Sequence, residues 1–409
     1  MAITDKEKGV WLNDQVYNKI NQGSIWEYNG ASGEAGAVWA WGGNAWGTMG
    51  GDRTDRSSPV QVLSGQYLKP MGGYLNGDNA LIGGVNTSGE MWLVGTNSNG
   101  ELAQNDSGIH RSSPVQVPGT WAYVYGTGGT GSASMSAINT DGELYTWGNN
   151  YIGGLGQNNQ SKYSSPTQIP GTYLTSAGAF MSGGMASASI GAWVKSDNTL
   201  MMSGYNNYGG LGQSNTTQYS SPKQVPGTNW LRVSSDCYTT GAVRTDGTLY
   251  MWGLNGYGQC GNNDSGGGGP YWSPSPVKHL STPNQVPGTT WSRISVGFWS
   301  SAAIRTDGTL WMWGRNNQGQ LGQNTVGPSQ LGISSPTQVG SGTDWSEVVV
   351  GSSAVQALKT DGTLWSWGYN AKGQLGINEE GNRYSSPVQI PGTWSALGWG
   401  GMMNAAVKP

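Results

Sequence analysis

The sequence predicts an all-β protein, a seven-bladed β-propeller of four-stranded blades, and three observations carry that reading. The first is composition: 70 Gly and 18 Pro in 409 residues, with only 11% charged side chains, describe many short elements joined by tight turns. The second is an internal repeat. "RTDGTLWMWGRNNQGQLGQN" (305–324) shares its frame with "KTDGTLWSWGYNAKGQLGIN" (359–378), "RTDGTLYMWGLNGYGQCGNN" (244–263), "NTDGELYTWGNNYIGGLGQN" (139–158) and "KSDNTLMMSGYNNYGGLGQS" (195–214), and with two worn copies at 86–105 and 33–52. After each copy comes a second anchor, Ser-Ser-Pro or a variant, with prolines Pro59, Pro114, Pro166, Pro222, Pro276, Pro336 and Pro387 spaced 51–60 residues apart. The third is local pattern: short extended runs flank Thr-Asp-Gly, a hairpin signal because Asp and Gly tolerate positive φ. A four-stranded sheet cannot bury both faces alone, so the units must stack, and a ring leaves only short protected edges.

From the N-terminus, residues 1–32 stand outside the repeat and read as a docking or anchor segment. Thr4 is a helix cap ahead of acidic residues, and Leu12, Val16 and Ile20 fall at i, i+4 and i+8, so a short amphipathic N-terminal helix is expected despite Gly9. Residues 33–409 are the propeller. In one well-kept unit "SAVQALK" (353–359) is the first strand and "TLWSWG" (363–368) its return. "SPVQI" (386–390) is the third, with Pro387 at a strand start where no ladder donor is lost, and "TWSALGWG" (393–400) closes the unit. "MNAAVKP" (403–409) aligns with first strands but has no return strand after it, and "GAVWAWGG" (36–43) is the missing partner. Residues 402–408 are therefore expected to pair with 36–43 and close the circle.

Most conspicuous residues read as architecture. Asp141, Asp246, Asp307 and Asp361 recur at one turn position, where a carboxylate caps backbone donors, and equivalent turns in every unit cannot be one active site. Leu102, Leu155, Leu211, Leu321 and Leu375 share a frame position with Met49 and Cys260, which makes Cys260 a small buried hydrophobe. Asn and Gln after Trp-Gly are expected to satisfy loop backbone. The net charge is −3 and no Lys/Arg block occurs, so nucleic acid is excluded as an expected partner. No window of about 18 apolar residues suggests membrane insertion, and "MAITDKEKGV" lacks the apolar core of a secretion signal. Cys237 and Cys260 lack metal spacing, and His110 and His279 have no convergent partners in sequence, so no metal, cofactor or enzymatic activity is expected. The longest inter-anchor loop, "NNDSGGGGPYWSPSPVKHLSTPNQ" (262–285), offers Tyr271, Trp272 and His279 as partner-binding candidates.

Two resemblances add to this. Asp-Gly-Thr-Leu-Trp-x-Trp-Gly, then Asn-x-x-Gly-Gln-Leu-Gly, then Ser-Ser-Pro resembles the regulator of chromosome condensation repeat across about 33–408, which implies a seven-bladed propeller; a kelch-type ring is the alternative, but its paired glycines are not kept. That family includes a nucleotide-exchange factor for a small nuclear GTPase, although the basic tail tied to its chromatin role has no counterpart here. Gly9-Val10-Trp11, then Tyr17, then Gly23-Ser24-Ile25-Trp26 resembles a short segment of bacteriophage tail and appendage proteins, which makes Trp11, Leu12, Val16, Tyr17, Ile20 and Trp26 docking candidates. The expectation that follows is a structural protein of a phage virion, in the tail, a fibre or the head surface, made in the host cytoplasm. Its partners would be other virion proteins and a host surface glycan or receptor. Two alternatives stand beside it: a regulatory or inhibitory protein-binding propeller, and a polysaccharide-degrading enzyme with carboxylates gathered from separate blades.

Overall fold

The computed structural model describes residues 34–44, 47–49, 52–73, 80–126, 133–175, 189–236, 238–264, 278–328, 332–398 and 400–409. The expected N-terminal helix lies outside them, and the described residues contain strands and no helix. In chain order the strands are β1 (Gly36–Gly42), β2 (Arg56–Gly73), β3 (Leu81–Asn86), β4 (Met91–Gly95), β5 (Arg111–Val117), β6 (Trp121–Gly126), β7 (Ser134–Asn139), β8 (Glu143–Gly148) and β9 (Tyr163–Thr172). Then follow β10 (Ile190–Val194), β11 (Leu200–Gly204), β12 (Tyr219–Gln224), β13 (Trp230–Asp236), β14 (Thr239–Arg244), β15 (Leu249–Leu254), β16 (His279–Gln285) and β17 (Trp291–Val296). The last are β18 (Ser300–Arg305), β19 (Leu310–Arg315), β20 (Gly332–Gln338), β21 (Trp345–Val350), β22 (Ala354–Lys359), β23 (Leu364–Gly368), β24 (Tyr384–Ile390), β25 (Ala396–Leu397) and β26 (Met403–Lys408).

Among the described residues these strands form six antiparallel sheets. Four have four strands each, β6–β9, β13–β16, β17–β20 and β21–β24, and β10–β12 form a fifth, extended on its inner side by a Tyr173–Lys195 bridge. The sixth runs β25-β26-β1-β2-β3-β4-β5, because the first half of the long β2 pairs with β1 and its second half with β3. Within it β1 and β26 pair from Ala37↔Lys408 to Gly42↔Met403, the clasp that the sequence anticipates.

Two details differ from the sequence reading. The strand opening with Trp, such as "TWSALGWG", does not finish its own unit but starts the next sheet, so sequence units are staggered by one strand against the sheets. The anchor proline sits in mid-strand rather than at a strand start: in β24 the register passes from Ser366↔Val388 to Gly368↔Tyr384, so Ser385, Ser386 and Pro387 form a bulge on an outer strand. There the missing N–H costs nothing. The bulge instead turns its backbone to a neighbour, and Ser385 O accepts from Asn324 N.

That contact recurs around the molecule. Asn105, Asn158, Ser214, Asn263, Asn324 and Asn378 donate backbone N–H groups to Ser164, Ser220, Ser281, Ser334, Ser385 and Ser57, each on the next sheet, so the last bond returns to the first sheet. The loop can come that close because of one glycine. At Gly319 (φ +77) a Cβ would lie 2.7 Å from Ser385 Cα, so only glycine fits. Buried indoles bridge the same seams: Trp41, Trp147, Trp252, Trp313 and Trp367 donate Nε1–H to Gln374, Glu101, Gly210, Gln259 and Gln320 carbonyls of the preceding sheet. The core therefore lies between sheets, as in the cluster joining Val243, Leu249, Met251 and Cys260 to Trp291, Val296 and Trp313. Each indole so buried removes about 150–250 Å² from water, roughly 4–6 kcal/mol gross.

Loops are closed by side-chain amides, as expected of Asn after Trp-Gly. Asn316 Oδ1 accepts from Leu321 N at 3.0 Å while its Nδ2 donates to Thr325 O at 3.1 Å. Equivalent clamps sit at Asn44, Asn97, Asn150, Asn206, Asn255 and Asn370.

Candidate functional site

Four of the Asp-bearing turns cap themselves. Thr199, Thr248, Thr309 and Thr363 donate both N–H and Oγ1–H to the Asp two residues earlier, and these bonds hold the four carboxyls below the usual carboxylate range. The flanking cation is sandwiched: Arg305 lies 4.6 Å from the Trp291 ring centre and 4.2 Å from that of Trp311, and Arg244 sits likewise between Trp230 and Tyr250. Where Glu replaces the Thr, the cation becomes Asn: Asn139 Nδ2 donates to Glu143 at 2.8 Å and Asn86 Nδ2 to Glu90 at 2.7 Å. These turns are architecture. Cys260 is likewise buried, its thiol pushed far up by burial, which leaves it a hydrophobe and not a nucleophile. Among the described residues no group of three or more His, Cys, Asp or Glu is placed to hold a metal.

Function is better sought where equivalent positions differ. A shared backbone bond defines one such pair of positions at the end of the ring opposite the turns. Residues 43, 96, 149, 205, 254, 315 and 369 donate N–H to the carbonyls of 402, 80, 133, 189, 238, 299 and 353. Most of these are small, polar or aliphatic, but Tyr205, Tyr238 and Trp299 cluster in adjoining sheets. They carry a continuous run of ring contacts: Tyr205–Tyr238 at 5.4 Å, Tyr208–Tyr238 at 5.1 Å, Tyr238–Phe298 at 6.4 Å, Phe298–Trp299 at 4.2 Å and Trp299–Tyr257 at 5.2 Å. Tyr205, Tyr208 and Phe298 are half-buried, and Tyr238, Tyr257 and Trp299 form the buried floor. His279, a candidate from sequence, is exposed on β16 and packs its ring edge against Tyr208 at 6.4 Å. Tyr271, Trp272, Cys237 and the docking candidates Trp11, Leu12, Val16, Tyr17, Ile20 and Trp26 lie outside the described residues.

A second departure lies on the inner strands, near the turn end, and the sequence reading missed it. Two positions after the aromatic that opens each inner strand stand Lys69, Tyr123, Thr175, Arg232, Arg293, Glu347 and Ala396; in the paired strands this position follows a register shift, as at Trp291/Arg293 and Trp345/Glu347. Inner strands of neighbouring sheets touch one another, β13 with β17, β17 with β21, β21 with β25 and β25 with β2, so these side chains surround the axis. Lys69 bonds Glu347, 278 positions away in sequence, and the other Glu347 oxygen accepts from Leu397 N at 3.0 Å. Burial pushes Lys69 below its ordinary range, aided by Arg293 and Arg232 and opposed by Glu347. Burial and then Arg293 push Arg232 down to about 9, while Tyr125, Tyr123 and Glu347 oppose the shift. Burial alone would raise Glu347, but Lys69 and Arg293 hold it below the usual carboxylate range. A cleft of about 300 Å³, lined by Lys69 and Tyr123 together with Ser88, Thr120 and Thr140, opens beside this cluster at the turn end.

Comparison with known proteins supports the repeat. The family model described as the regulator of chromosome condensation (RCC1) repeat matches residues 141–182, 246–304, 307–358 and 361–400, and a second model of that repeat matches 291–320. The ultraviolet-B receptor UVR8 of Arabidopsis thaliana is 28% identical over 361 residues, covering 85% of this chain and 76% of that protein. The probable E3 ubiquitin-protein ligase HERC3 of Homo sapiens is 37% identical over 100 residues, 24% of this chain but only 9% of its own length. Yeast RCC1 (Prp20), solved bound to Kap60, superposes with a TM-score of 0.76 at 16% identity, covering 100% of this chain and 96% of that one, a likeness of fold. The chain thus carries RCC1 repeats on an RCC1-like β-propeller. These relatives overturn the expected phage role: they are cellular proteins of eukaryotes, so the virion, bacteriophage and tail assignments, the virion location and the glycan-binding fibre are all withdrawn. The physical cause of the error is plain. Low charge and abundant Trp and Gly are requirements of the seams and loops described above, and the tail-like segment covers fewer than 30 residues outside the sequence repeat.

Proposed function

We propose that this chain is a regulatory, non-enzymatic protein-binding propeller whose aromatic end docks a partner protein. The observation that carries the reading is the run from Tyr205 through Tyr208, Tyr238 and Phe298 to Trp299, with His279 at its rim. Aromatic side chains over a buried floor, with the Arg315 guanidinium 5.0 Å from the Tyr257 ring centre, are the make-up of an interface hot spot, because they offer large contact area at low conformational cost. The repeat it shares with UVR8 and RCC1 supports a binding role over a catalytic one. We also read the ring as seven-bladed, β2 serving two blades, and the recurrence of the Asn clamp from Asn44 to Asn370 supports that count. Residues 1–32 as a docking segment and Tyr271 and Trp272 as a contact arm belong to the same proposal.

The test is a pull-down from cells that make the protein, with the full chain as bait beside Tyr208→Ala/Phe298→Ala. Both side chains are half-buried, so the double variant should melt within a few degrees of the parent. A partner captured in stoichiometric amount by the parent and lost from the variant is the expected result. Equal capture by both, or none by the parent, would refute the aromatic end as the docking surface.

A further inference from the structure

We propose that the aromatic end grips its partner through one carboxylate, the side chain of an Asp or Glu in the docked protein segment, which pairs with the guanidinium of Arg315. This pairing presupposes the docking role proposed above and names the chemistry of the partner. Position supports it first. Arg315 N donates to Trp299 O, and the Arg315 guanidinium lies 5.0 Å from the centre of the Tyr257 ring, itself 5.2 Å from that of Trp299, so a cation closes one end of the aromatic run. Among the residues joined by the backbone bonds at this level of the ring, Arg315 alone carries a charge.

The second support is an unmet need for an acceptor. Arg56 and Arg111 pair with Asp52 and Asp106, and Arg244 and Arg305 are each enclosed between two rings. Arg315 has a ring on one face, and among the described residues its half-buried side chain makes neither a hydrogen bond nor an ion pair. Its Nε is buried without a partner, while its terminal nitrogens remain open to solvent. A guanidinium partly withdrawn from water gains more from an incoming anion than a fully hydrated one, because the attraction is screened less. Charge and shape are the third support. One surplus positive charge matches a monoanion. The two terminal N–H groups lie in one plane and can donate to both oxygens of a carboxylate, whereas a phosphorylated residue, with close to two negative charges, would be only half neutralised. Apolar residues flanking the acid then cover Phe298 and Tyr208, both half-buried.

The experiment uses the full chain. Short random peptides, each tethered through its carboxyl end so that no free C-terminus is offered, are selected on the immobilised protein. We expect enrichment of Asp or Glu beside apolar or aromatic residues. The strongest binder is then synthesised with both ends blocked, and fluorescence anisotropy reads its Kd for the parent, for Arg315→Gln and for Tyr208→Ala/Phe298→Ala. Arg315→Gln, or replacement of the peptide's acid by its amide, should raise Kd about tenfold or more, and the two together should cost no more than either alone, because a single contact is lost once. Arg315→Lys keeps the charge without the planar fork and should fall between the parent and Arg315→Gln. Should Arg315→Gln not fold, Arg315→Lys and the amide peptide read the same contact. Phosphoserine in place of the acid should bind more weakly. The pairing is refuted by a selection without acidic enrichment, by equal Kd for the acid and amide peptides, by additive losses in the double change, or by tighter binding of the phosphoserine peptide. A peptide that loses affinity for Tyr208→Ala/Phe298→Ala but not for Arg315→Gln refutes the pairing and leaves the docking surface standing. One indifferent to every variant refutes both.

Discussion

Deleting residues 402–409 removes β26, the strand that joins β25 to β1, and the structure fixes how much should be lost. Met403, Ala405, Ala406 and Val407 are each 0% exposed. Their transfer terms come to about 1.5–3 kcal/mol for Met and for Val and roughly 0.8 kcal/mol for each Ala, or about 5–8 kcal/mol together. The ladder from Ala37↔Lys408 to Gly42↔Met403 adds backbone hydrogen bonds worth roughly 0.5–1.5 kcal/mol each. A loss of at least about 5 kcal/mol is comparable to the whole stability of an ordinary domain. At a urea slope of roughly 3 kcal/mol/M the unfolding midpoint should fall by at least about 1.7 M, or the cooperative transition should vanish. Tryptophan fluorescence in urea reads the midpoint, and limited proteolysis should find new cuts between 36 and 73, where β1 and the first half of β2 lose their neighbour. An unchanged midpoint with an unchanged digest would mean that the ring does not depend on this clasp, and the account of its closure would fail.

Three further outcomes follow from named contacts. Trp367→Phe leaves the buried Gln320 carbonyl without its 2.9 Å donor and should cost about 1–3 kcal/mol in urea unfolding, whereas Trp365→Phe, whose half-buried indole donates to Thr363 Oγ1, should cost less than about 1 kcal/mol; equal losses would contradict the role of the seam bond. Asn316→Ala removes both ends of a loop clamp and should destabilise by about 2 kcal/mol, with faster amide exchange at Leu321; exchange unchanged there would place the loop's rigidity elsewhere. Asp197, Asp246, Asp307 and Asp361 have carboxyls held below their unfolded-state values, so the stability they contribute is complete above the unfolded value near 3.9 and is lost as pH falls through the folded values. Replacing all four by Asn keeps an oxygen acceptor and removes the titration, so the urea midpoint should fall less steeply between pH 5 and pH 3; an identical acid limb would refute this.

The fold was legible because repetition averages out local noise. Thr-Asp-Gly, Trp-x-Trp-Gly and Ser-Ser-Pro recur in frame, and each names a local geometry that holds wherever it occurs. The phase of the unit was not legible. Trp345 and Trp291 open strands that pair forward into the next hairpin, and nothing within "DWSEVVV" or "TWSRISV" says which neighbour they join. Pro387 misled for a related reason, since its missing donor is harmless only on an outer bulge, and a bulge is a property of the paired strand rather than of the pentapeptide. The position of Cys260 was legible from its column of leucines, and that of His279 only as a loop residue, because its neighbour Tyr208 belongs to another sheet.

The same column logic explains what the sequence concealed and how it can be recovered. Stacking "QYLKPM", "TWAYVY", "TYLTSA", "NWLRVS", "TWSRIS", "DWSEVV" and "TWSALG" brings Lys69, Tyr123, Thr175, Arg232, Arg293, Glu347 and Ala396 into one column. In a linear sequence these are scattered single charges. In a ring, one column is one circle around the axis, so charges far apart in the chain become mutual neighbours, as Lys69 and Glu347 are. The aromatic end obeys the same rule, since Tyr205, Tyr238 and Trp299 occupy columns that elsewhere hold mainly Gly, Thr, Asn, Ala and Ser. Columns that agree carry the seams, turns and clamps, and a substitution there damages the fold before it reveals anything else. Columns that disagree are released from that constraint, and it is in those that a repeat protein can place a binding surface without weakening the ring that presents it.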